Sequence, residues 1–598
     1  MMSPESSLLF RPGRIGGVEI RNRIVLPAMT TRLADPEGHV TEATLAYYRW
    51  RAEGGAGLLT VEMASPEKAG RHRAHELGIC EDRFIPGLQR LVREISLCGA
   101  KTSIQLGHAG GHTRADISGE PPIAPSAIPH FVYEITAATV VPEEMTLERI
   151  EQSIAAFVAA ARRAAAAGFD CIEVHAAHGY LISQFLCPEE NRRQDQYGGS
   201  LENRARFGLE ILRRIKRDVP QVSAIFRLNA EDLFPAGMPF SEGLQVARWA
   251  AEAGADAIHV TAGHYRSVPS AQVMTPPMAH PEGTFLHYAA EIKKAVGAVP
   301  VIAVGRLGDP ARAMAAVEEG KADFVALGRP LIADPAWVRK ARLGRPVRRC
   351  IACNTCVNDM RGGAKISCLV NPTAGRELEF EGASLPRGER IAVVGAGPAG
   401  LTYASLMAEE CRVTVFERDA APGGAFRYAG KAARFQEVEG AERPFEVFIA
   451  ELERDCREKG VRFEYGTDVM RRPDALAGSD RIVVATGARY RFGLGGIVKW
   501  FLDSGYGRSS LVRWLFDQPA FRDFLYYRFR RRTGPAIARF LRSVAPQATI
   551  TIIGDAKKAG KSQAAIEDAF RAAYILEPRK SEQPASPAAS PAMMRGSS

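Results

Sequence analysis

Four cysteines, Cys350, Cys353, Cys356 and Cys368, stand at the spacing C-x2-C-x2-C-x11-C in a chain with ten cysteines in 598 residues. Three thiols in a tight loop plus one further downstream make a ligand set for an iron–sulfur cluster, and a structural zinc held by four thiolates would use the same arrangement. Disulfides are not expected. The N-terminal MMSPESSLLFRPGRIGG has neither the apolar core nor the small-residue cleavage site of a secretion signal, so a reducing cytoplasm is the expected location. The remaining cysteines, Cys80, Cys98, Cys171, Cys187, Cys411 and Cys456, are scattered and read as packing residues. A second constellation is His175, His178 and Tyr180 in HAAHGY. Two imidazoles and a phenol can donate hydrogen bonds to a developing oxyanion and hand over a proton. The same residues could be buried packing groups or half of a metal site, although no carboxylate is obviously placed to complete one. A third signal is IAVVGAGPAGLTYASLMAEECRVTVFER, with Gly395, Gly397 and Gly400 in a strand–turn–helix pattern that ends on Glu417. Such a turn offers a helix N-terminus to pyrophosphate and a carboxylate to ribose.

Side chains this far apart in sequence need a scaffold that gathers them. Before residue 330 there are eight short β-rich apolar runs: IVLPAM from Ile24, GLLTVEM from Gly57, TSIQLGH from Thr102, CIEVHA from Cys171, AIFRLN from Ala224, AIHVTA from Ala257, PVIAVG from Pro300 and DFVALG from Asp323. Helical stretches such as EQSIAAFVAAARRAAAAG separate them, closed by glycine or aspartate. Strand–helix alternation means parallel βαβ units, and eight of them predict an α/β protein whose N-terminal part is a (β/α)8 TIM barrel. Chemistry then belongs at the strand ends, which carry Thr30, Met63, Gln105, His175 with His178 and Tyr180, Arg227, His264, Gly305-Arg306 and Gly328-Arg329. The two glycine–arginine pairs follow runs seven and eight, where barrels bind phosphate through backbone amides and an arginine.

HAAHGYLISQFLCPEENRRQDQYGGSLENRARF, with LPAMTTR and QLGHAGGHT, resembles the flavin-contact segments of the old yellow enzyme family, FMN-containing barrels that reduce activated C=C bonds. The resemblance implies that Ala28, Met29 and Thr30 lie against the flavin and that Gln105 bonds its pyrimidine edge. It places Arg227 near N1 and the phosphate on Gly305, Arg306, Gly328 and Arg329. It also implies that His175 and His178 grip the substrate carbonyl and that Tyr180 supplies a proton; His264 is expected on the catalytic rim from its strand-end position alone. The string from CIACNTC to SCLVNPTAG is similar to the [4Fe-4S] segment of the fused branch of that family, which includes 2,4-dienoyl-CoA reductase, enoate reductases and trimethylamine dehydrogenase. Cys350, Cys353, Cys356 and Cys368 are its implied metal ligands.

The glycine turn is joined by APGG ending at Gly424, by IVVATGA containing Thr486 and Gly487, and by ITIIGDA containing Asp555. Together these look like the FAD half of a disulfide-reductase-type module, a Rossmann-like domain; an NAD-only Rossmann domain is the alternative. The expected layout is a barrel at 1–345, a cluster segment at 346–388, an FAD domain at 389–490 and 549–580, a basic, aromatic helical insertion at 491–548, and a disordered tail from 581. In the fused relatives the interval before Ile550 carries a second dinucleotide fold for NAD(P)H. Here it is shorter and lacks a glycine fingerprint, so an electron-transfer protein, a ferredoxin or an electron-transferring flavoprotein, is expected to dock there.

Three functions are carried forward: an ene-reductase acting on an enone, enoate or enoyl thioester, with electrons passing from FAD through the cluster to FMN; an N-methyl amine dehydrogenase running the other way; and a non-catalytic electron-transfer subunit. The substrate in the first two is a small molecule. A net charge of +10 is too diffuse to suggest nucleic acid, and no uncharged apolar run approaches a transmembrane length. A homo-oligomer is left open.

Overall fold

The eight apolar runs are eight strands. The computed structural model describes residues 4–429, 442–490 and 530–575, with isolated positions between 504 and 524. Strands β1 (Ile24–Leu26), β2 (Leu58–Ala64), β3 (Lys101–Leu106), β4 (Cys171–Ala176), β5 (Ser223–Asn229), β6 (Ala257–Thr261), β7 (Val301–Ala303) and β8 (Phe324–Ala326) pair in parallel around a closed barrel, with β8 returning to β1. Every residue of β2, β5 and β6 is buried. The strands therefore read as continuous apolar runs, because helices cover one face and the barrel interior the other. The long helix Leu147–Ala167 shows how the connections are punctuated. Thr146 caps its start by accepting from Arg149 N, and Gly168, at φ 91°, ends it in the left-handed conformation that glycine adopts without steric cost. At the opposite end from the site, aspartates staple neighbouring strands: Asp170 accepts from Thr102 N at 2.9 Å, and Asp256 from Ala224 N at 2.7 Å.

A second sheet follows, with β9 (Arg390–Val394), β10 (Arg412–Glu417), β11 (Arg462–Tyr465), β12 (Arg481–Val484) and, further on, β15 (Thr549–Ile552). Its order is β11-β10-β9-β12-β15, all parallel, so the strand order reverses between β9 and β12. Open α/β sheets bind ligands at that crevice. Between β12 and β15 lie β13 (Ala488–Tyr490) and β14 (Arg530–Arg532), an antiparallel pair. The basic residues Arg530, Arg531 and Arg532, expected on a helix, are thus in a strand whose backbone is engaged by β13. Arg539 and Arg542 do lie on a helix, Gly534–Val544, which buries Ala538 and Leu541 against the sheet. The other residues of the expected docking segment, Tyr526, Tyr527, Arg528 and Phe529, fall outside the described residues, as does the tail from 581.

The cysteine segment bridges the two units. Arg51, on the first barrel helix (Glu42–Glu53), forms a fully buried ion pair with Glu377 at 2.8 Å. Asn371 donates to Ile332 O at 2.8 Å, and Ile366 N donates to Thr31 O at 2.9 Å.

Candidate active site

At the C-terminal mouth of the barrel lies a cavity of about 250 Å3. Ala28, Met29, Thr30, Gln105, Arg227, Gly305, Arg306, Gly328 and Arg329 all line it, together with His175, His178 and Tyr180. Strand geometry explains this gathering, since each residue ends or just follows a barrel strand. At the floor, Glu173 is a fully buried organiser: it accepts from Gln105 Nε2 at 2.7 Å, pairs with His259 Nδ1 at 2.7 Å and lies 3.7 Å from Arg227. Arg227 keeps a buried Nε without a partner, and Gln105 is held with its amide at the cavity wall. A buried unpaired donor is costly unless a ligand meets it, so these residues fit the polar edge of a flavin. Gly305, at φ 113°, turns the chain so that Arg306 follows on the cavity wall; a Cβ there would lie 2.9 Å from Phe285. With Arg329 this makes a cationic, glycine-backed cradle suited to the FMN phosphate.

Arg329 also reaches the next site. A small closed cavity is walled by Cys350, Cys353, Cys356 and Cys368, and Cys350 and Cys356 line the barrel cavity as well. All four cysteines are free of disulfides. Burial raises the thiols of Cys350, Cys356 and Cys368, Cys356 to about 12, so holding them together as thiolates requires a cation. Four cysteines on one small cavity whose described lining holds no histidine or carboxylate fit a [4Fe-4S] cluster. In the second sheet, Gly395 sits at φ 111°, and an added Cβ would lie 2.6 Å from Ala485 O; at Gly400 it would lie 2.0 Å from Gly395 O. Only glycine fits at either position. Gly397 faces open space, Gly424 approaches it, and Thr486 and Gly487 follow β12 across the crevice. Glu417 accepts from Ala396 N at 2.8 Å, holding the turn against β10, and Asp555 accepts from Gly560 N at 3.0 Å. The crevice fits FAD.

Tyr180 is the centre of the substrate wall. Its hydroxyl meets His72 Nε2 at 3.0 Å, and His72 Nδ1 meets Glu76 Oε2 at 3.0 Å. The same Glu76 oxygen accepts from the backbone N–H groups of His72 and Arg73, while Oε1 is buried without a partner. Burial pushes the Glu76 carboxyl up to about 7 and holds His72 well below the usual imidazole range, where the adjacent Arg73 also keeps it. His175 packs 5.0 Å from the Tyr180 ring, with its Nδ1 unpartnered. His178, at φ 66°, is tied to Thr261 Oγ1 at 3.0 Å. Burial keeps both imidazoles well below their ordinary range, hence neutral.

His264 does not join this group. It is fully buried outside the cavity lining, with Nε2 3.4 Å from Glu190 and its ring under Gly179. Gly263, at φ 95°, swings the chain after β6 so that Tyr265, the residue after His264, enters the cavity instead. Tyr265 stacks on His112 at 4.1 Å and stands 5.6 Å from the Tyr180 ring. His72, Glu76, Tyr265 and Arg361 were not anticipated. The only sequence traces of them are the H-x3-E spacing in HRAHE, the aromatic beside His264 and an arginine shortly after Cys356.

Comparison with known proteins gives a consistent picture. Residues 8–348 match the model of the "NADH:flavin oxidoreductase / NADH oxidase family", and residues 393–448 that of an NAD(P)-binding Rossmann-like domain. The chain is 39% identical over 489 residues to an NADH oxidase of Thermoanaerobacter brockii, covering 80% of this chain and 73% of that one. It is 32% identical to an N,N-dimethylglycine/sarcosine dehydrogenase of Chromohalobacter salexigens (84% and 72% covered) and 31% identical to a cinnamate reductase of Clostridium sporogenes (82% and 75% covered). Among solved structures, a 2-naphthoyl-CoA reductase in complex with 2-naphthoyl-CoA superposes with a TM-score of 0.83 at 25% identity, covering 94% of this chain and 98% of that one. Among the described residues no helix is long and apolar enough to cross a membrane.

Proposed function

This chain belongs to the NADH:flavin oxidoreductase / NADH oxidase family, and on that premise we propose that it is an ene-reductase, acting on a C=C bond conjugated to a carbonyl. It is an oxidoreductase with FMN in the barrel. Bound FMN supplies hydride to the β-carbon. The protein's part is to stabilise the charge that builds on the carbonyl oxygen and to deliver a proton to the α-carbon. The observation that carries the reading is the single wall on which His175, His178 and Tyr180 face the cavity that the flavin-contact residues also line. Two neutral imidazoles aimed at an oxyanion stabilise it without having to give up a full proton. Thr261 fixes the His178 ring by binding one of its nitrogens.

Proton delivery is assigned to Tyr180, with His72 and Glu76 behind it. When Glu76 holds its proton, it donates to His72 Nδ1, His72 Nε2–H donates to the Tyr180 oxygen, and the phenol proton lies on the side of the cavity and of Tyr265, with which Tyr180 shares a hydrogen bond. As the α-carbon takes that proton, Nε2–H moves to the phenolate oxygen and the Glu76 proton moves to Nδ1. The net result is a neutral Tyr180, a neutral His72 protonated on Nδ1 and an ionised Glu76; a solvent proton taken up at His72 Nε2 then returns the Nδ1 proton to Glu76 and resets the relay. The reading includes the electron order FAD, cluster, FMN, supported by Cys350 and Cys356 lining the barrel cavity itself. An amine substrate is less well supported, because the carboxylates on the cavity lining, Glu282 and Asp309, stand at the phosphate end beside Arg306 and none faces Tyr180.

The test is an anaerobic oxidative half-reaction: reduced enzyme is mixed with 2-cyclohexenone or cinnamaldehyde and flavin reoxidation is followed. Wild type reoxidises, and Tyr180→Phe slows the step by roughly 10²-fold, the usual contribution of a positioned general acid. Equal rates for the two proteins would remove Tyr180 from the chemistry, and no reoxidation by any enone, enoate or enoyl thioester would reject C=C reduction.

A further inference from the structure

Carbonyl activation and proton delivery assign Arg361 no contact, only a share of the field that keeps His72 neutral. This residue ends the helix Thr355–Arg361, lines the cavity and lies with its guanidinium carbon 5.5 Å over the Tyr265 ring. Among the described residues no carboxylate forms an ion pair with it, although it is half-buried. The charges behind it do not cancel. Arg32 and Arg73 both pair with the same carboxylate, Glu134, and all three are buried. Two cations on one anion leave one positive charge, and Arg361 adds another. Asp359, on the same helix, is taken up by hydrogen bonds from Ser367 and Gln563, and burial pushes Glu76 and Glu62, which face Arg73 and Arg32, up to about 7 and about 8, so neither is fully ionised at neutral pH. Tyr265 registers the resulting field. Its burial alone would push the phenol up, yet Arg361 and Arg73 draw it down to about 8.

We propose that this end of the cavity is an anion subsite in which Arg361 receives a carboxylate of the substrate. The inference rests on the ene-reductase reading for the other end, where His175 and His178 take the conjugated carbonyl. His175 and Arg361 are separated by the Tyr180 and Tyr265 rings, at 5.0 Å from His175 to Tyr180 and 5.6 Å from Tyr180 to Tyr265. One carboxylate cannot span both ends. The substrate class is therefore an unsaturated carbonyl compound that carries a second, remote carboxylate: a dicarboxylic acid or an oxo-acid, not a simple enone or an alkylammonium. A planar guanidinium accepts a carboxylate in two parallel hydrogen bonds, which a lysine in its place would not reproduce.

Binding alone can test this, apart from turnover. Phenols mimic an enolate oxygen at the histidine pair, and a para substituent then points away from it. Dissociation constants of 4-hydroxybenzoate and its neutral counterpart 4-hydroxybenzamide are measured on the oxidised holoenzyme by perturbation of the flavin absorbance. Wild type is expected to favour the acid by about 10- to 100-fold, the range of a charged hydrogen-bonded contact. Arg361→Gln abolishes the preference and leaves the amide constant unchanged. Should Arg361→Gln fold poorly, Arg361→Lys retains part of the preference, and in wild type the preference shrinks as salt rises. Equal affinity for acid and amide in wild type, or a preference that survives Arg361→Gln, overturns the subsite. A preference that behaves as expected in an enzyme that reduces no enone, enoate or enoyl thioester, with or without a second carboxylate, leaves the subsite standing and rejects C=C reduction instead.

Discussion

Replacing Glu76 with glutamine isolates the proton reserve behind Tyr180. Glutamine keeps the size and can still hydrogen-bond to His72, but it has no proton to pass on. In wild type the competent form is the one with Glu76 protonated, and its carboxyl sits at about 7. The rate of flavin reoxidation by an enone should therefore be level below pH 6 and fall as pH rises; about a tenth of the enzyme remains protonated at pH 8 and about a hundredth at pH 9. In Glu76→Gln that limb disappears, and the rate at pH 6 drops by roughly 10²-fold because Tyr180 must recover its proton from solvent. The groups facing the pair set the limits of the argument. Arg71 and Arg73 pull Glu76 downward against its burial, while Arg73, Arg32 and Arg361 help keep His72 neutral and Glu134 opposes them. Tyr265, at about 8, could impose a limb of its own, so the double variant Glu76→Gln with Tyr265→Phe serves as control. The assay is anaerobic stopped flow with pre-reduced enzyme from pH 6 to 9, in H2O and D2O. A flat wild-type profile, or an unchanged limb in Glu76→Gln, would refute the relay.

Two further outcomes are expected. Cys368→Ser should lose iron and acid-labile sulfide while retaining FAD, read by metal analysis and by flavin released on denaturation; a wild-type protein holding zinc without sulfide would reject the cluster. Glu377→Gln should strand the Arg51 guanidinium in the core and cost about 3–5 kcal/mol, the usual penalty for breaking a buried pair, visible as a lower unfolding midpoint by circular dichroism; an unchanged midpoint would mean that solvent reaches the pair.

Barrel, glycine turn and cysteine array were legible because each leaves a local signature. Strands buried on both faces must be apolar throughout, Gly395 and Gly400 sit where any Cβ would strike backbone, and metal ligands cluster in sequence. The strand-end rule also placed Gln105, Arg227, His175 and the two glycine–arginine pairs on the cavity. It failed at β6, where one left-handed glycine exchanges His264 for Tyr265 at the cavity wall. His72 and Glu76 were hidden for a different reason. They lie on an irregular stretch after β2, where no periodicity indicates direction, and their meaning comes from Tyr180, more than 100 residues away. The basic 530–532 stretch misled because arginines suit helices, while pairing with β13 is a tertiary choice that local propensity does not record.

Cys356, one of the four cysteines walling the small cavity, and Arg361 share one short helix, five residues apart, so about 7.5 Å of axial rise separates that cysteine from the proposed anion subsite. The consequence concerns maturation. A metal bound through Cys356 would fix the first turn of that helix, and the helix would in turn aim the guanidinium at its far end. A newly made chain that has acquired flavin but not iron should discriminate poorly between 4-hydroxybenzoate and the amide, and should acquire the preference only when the cluster is built. Iron supply would then act as a checkpoint on substrate recognition, keeping half-assembled enzyme from occupying its substrate before it has the means to turn it over.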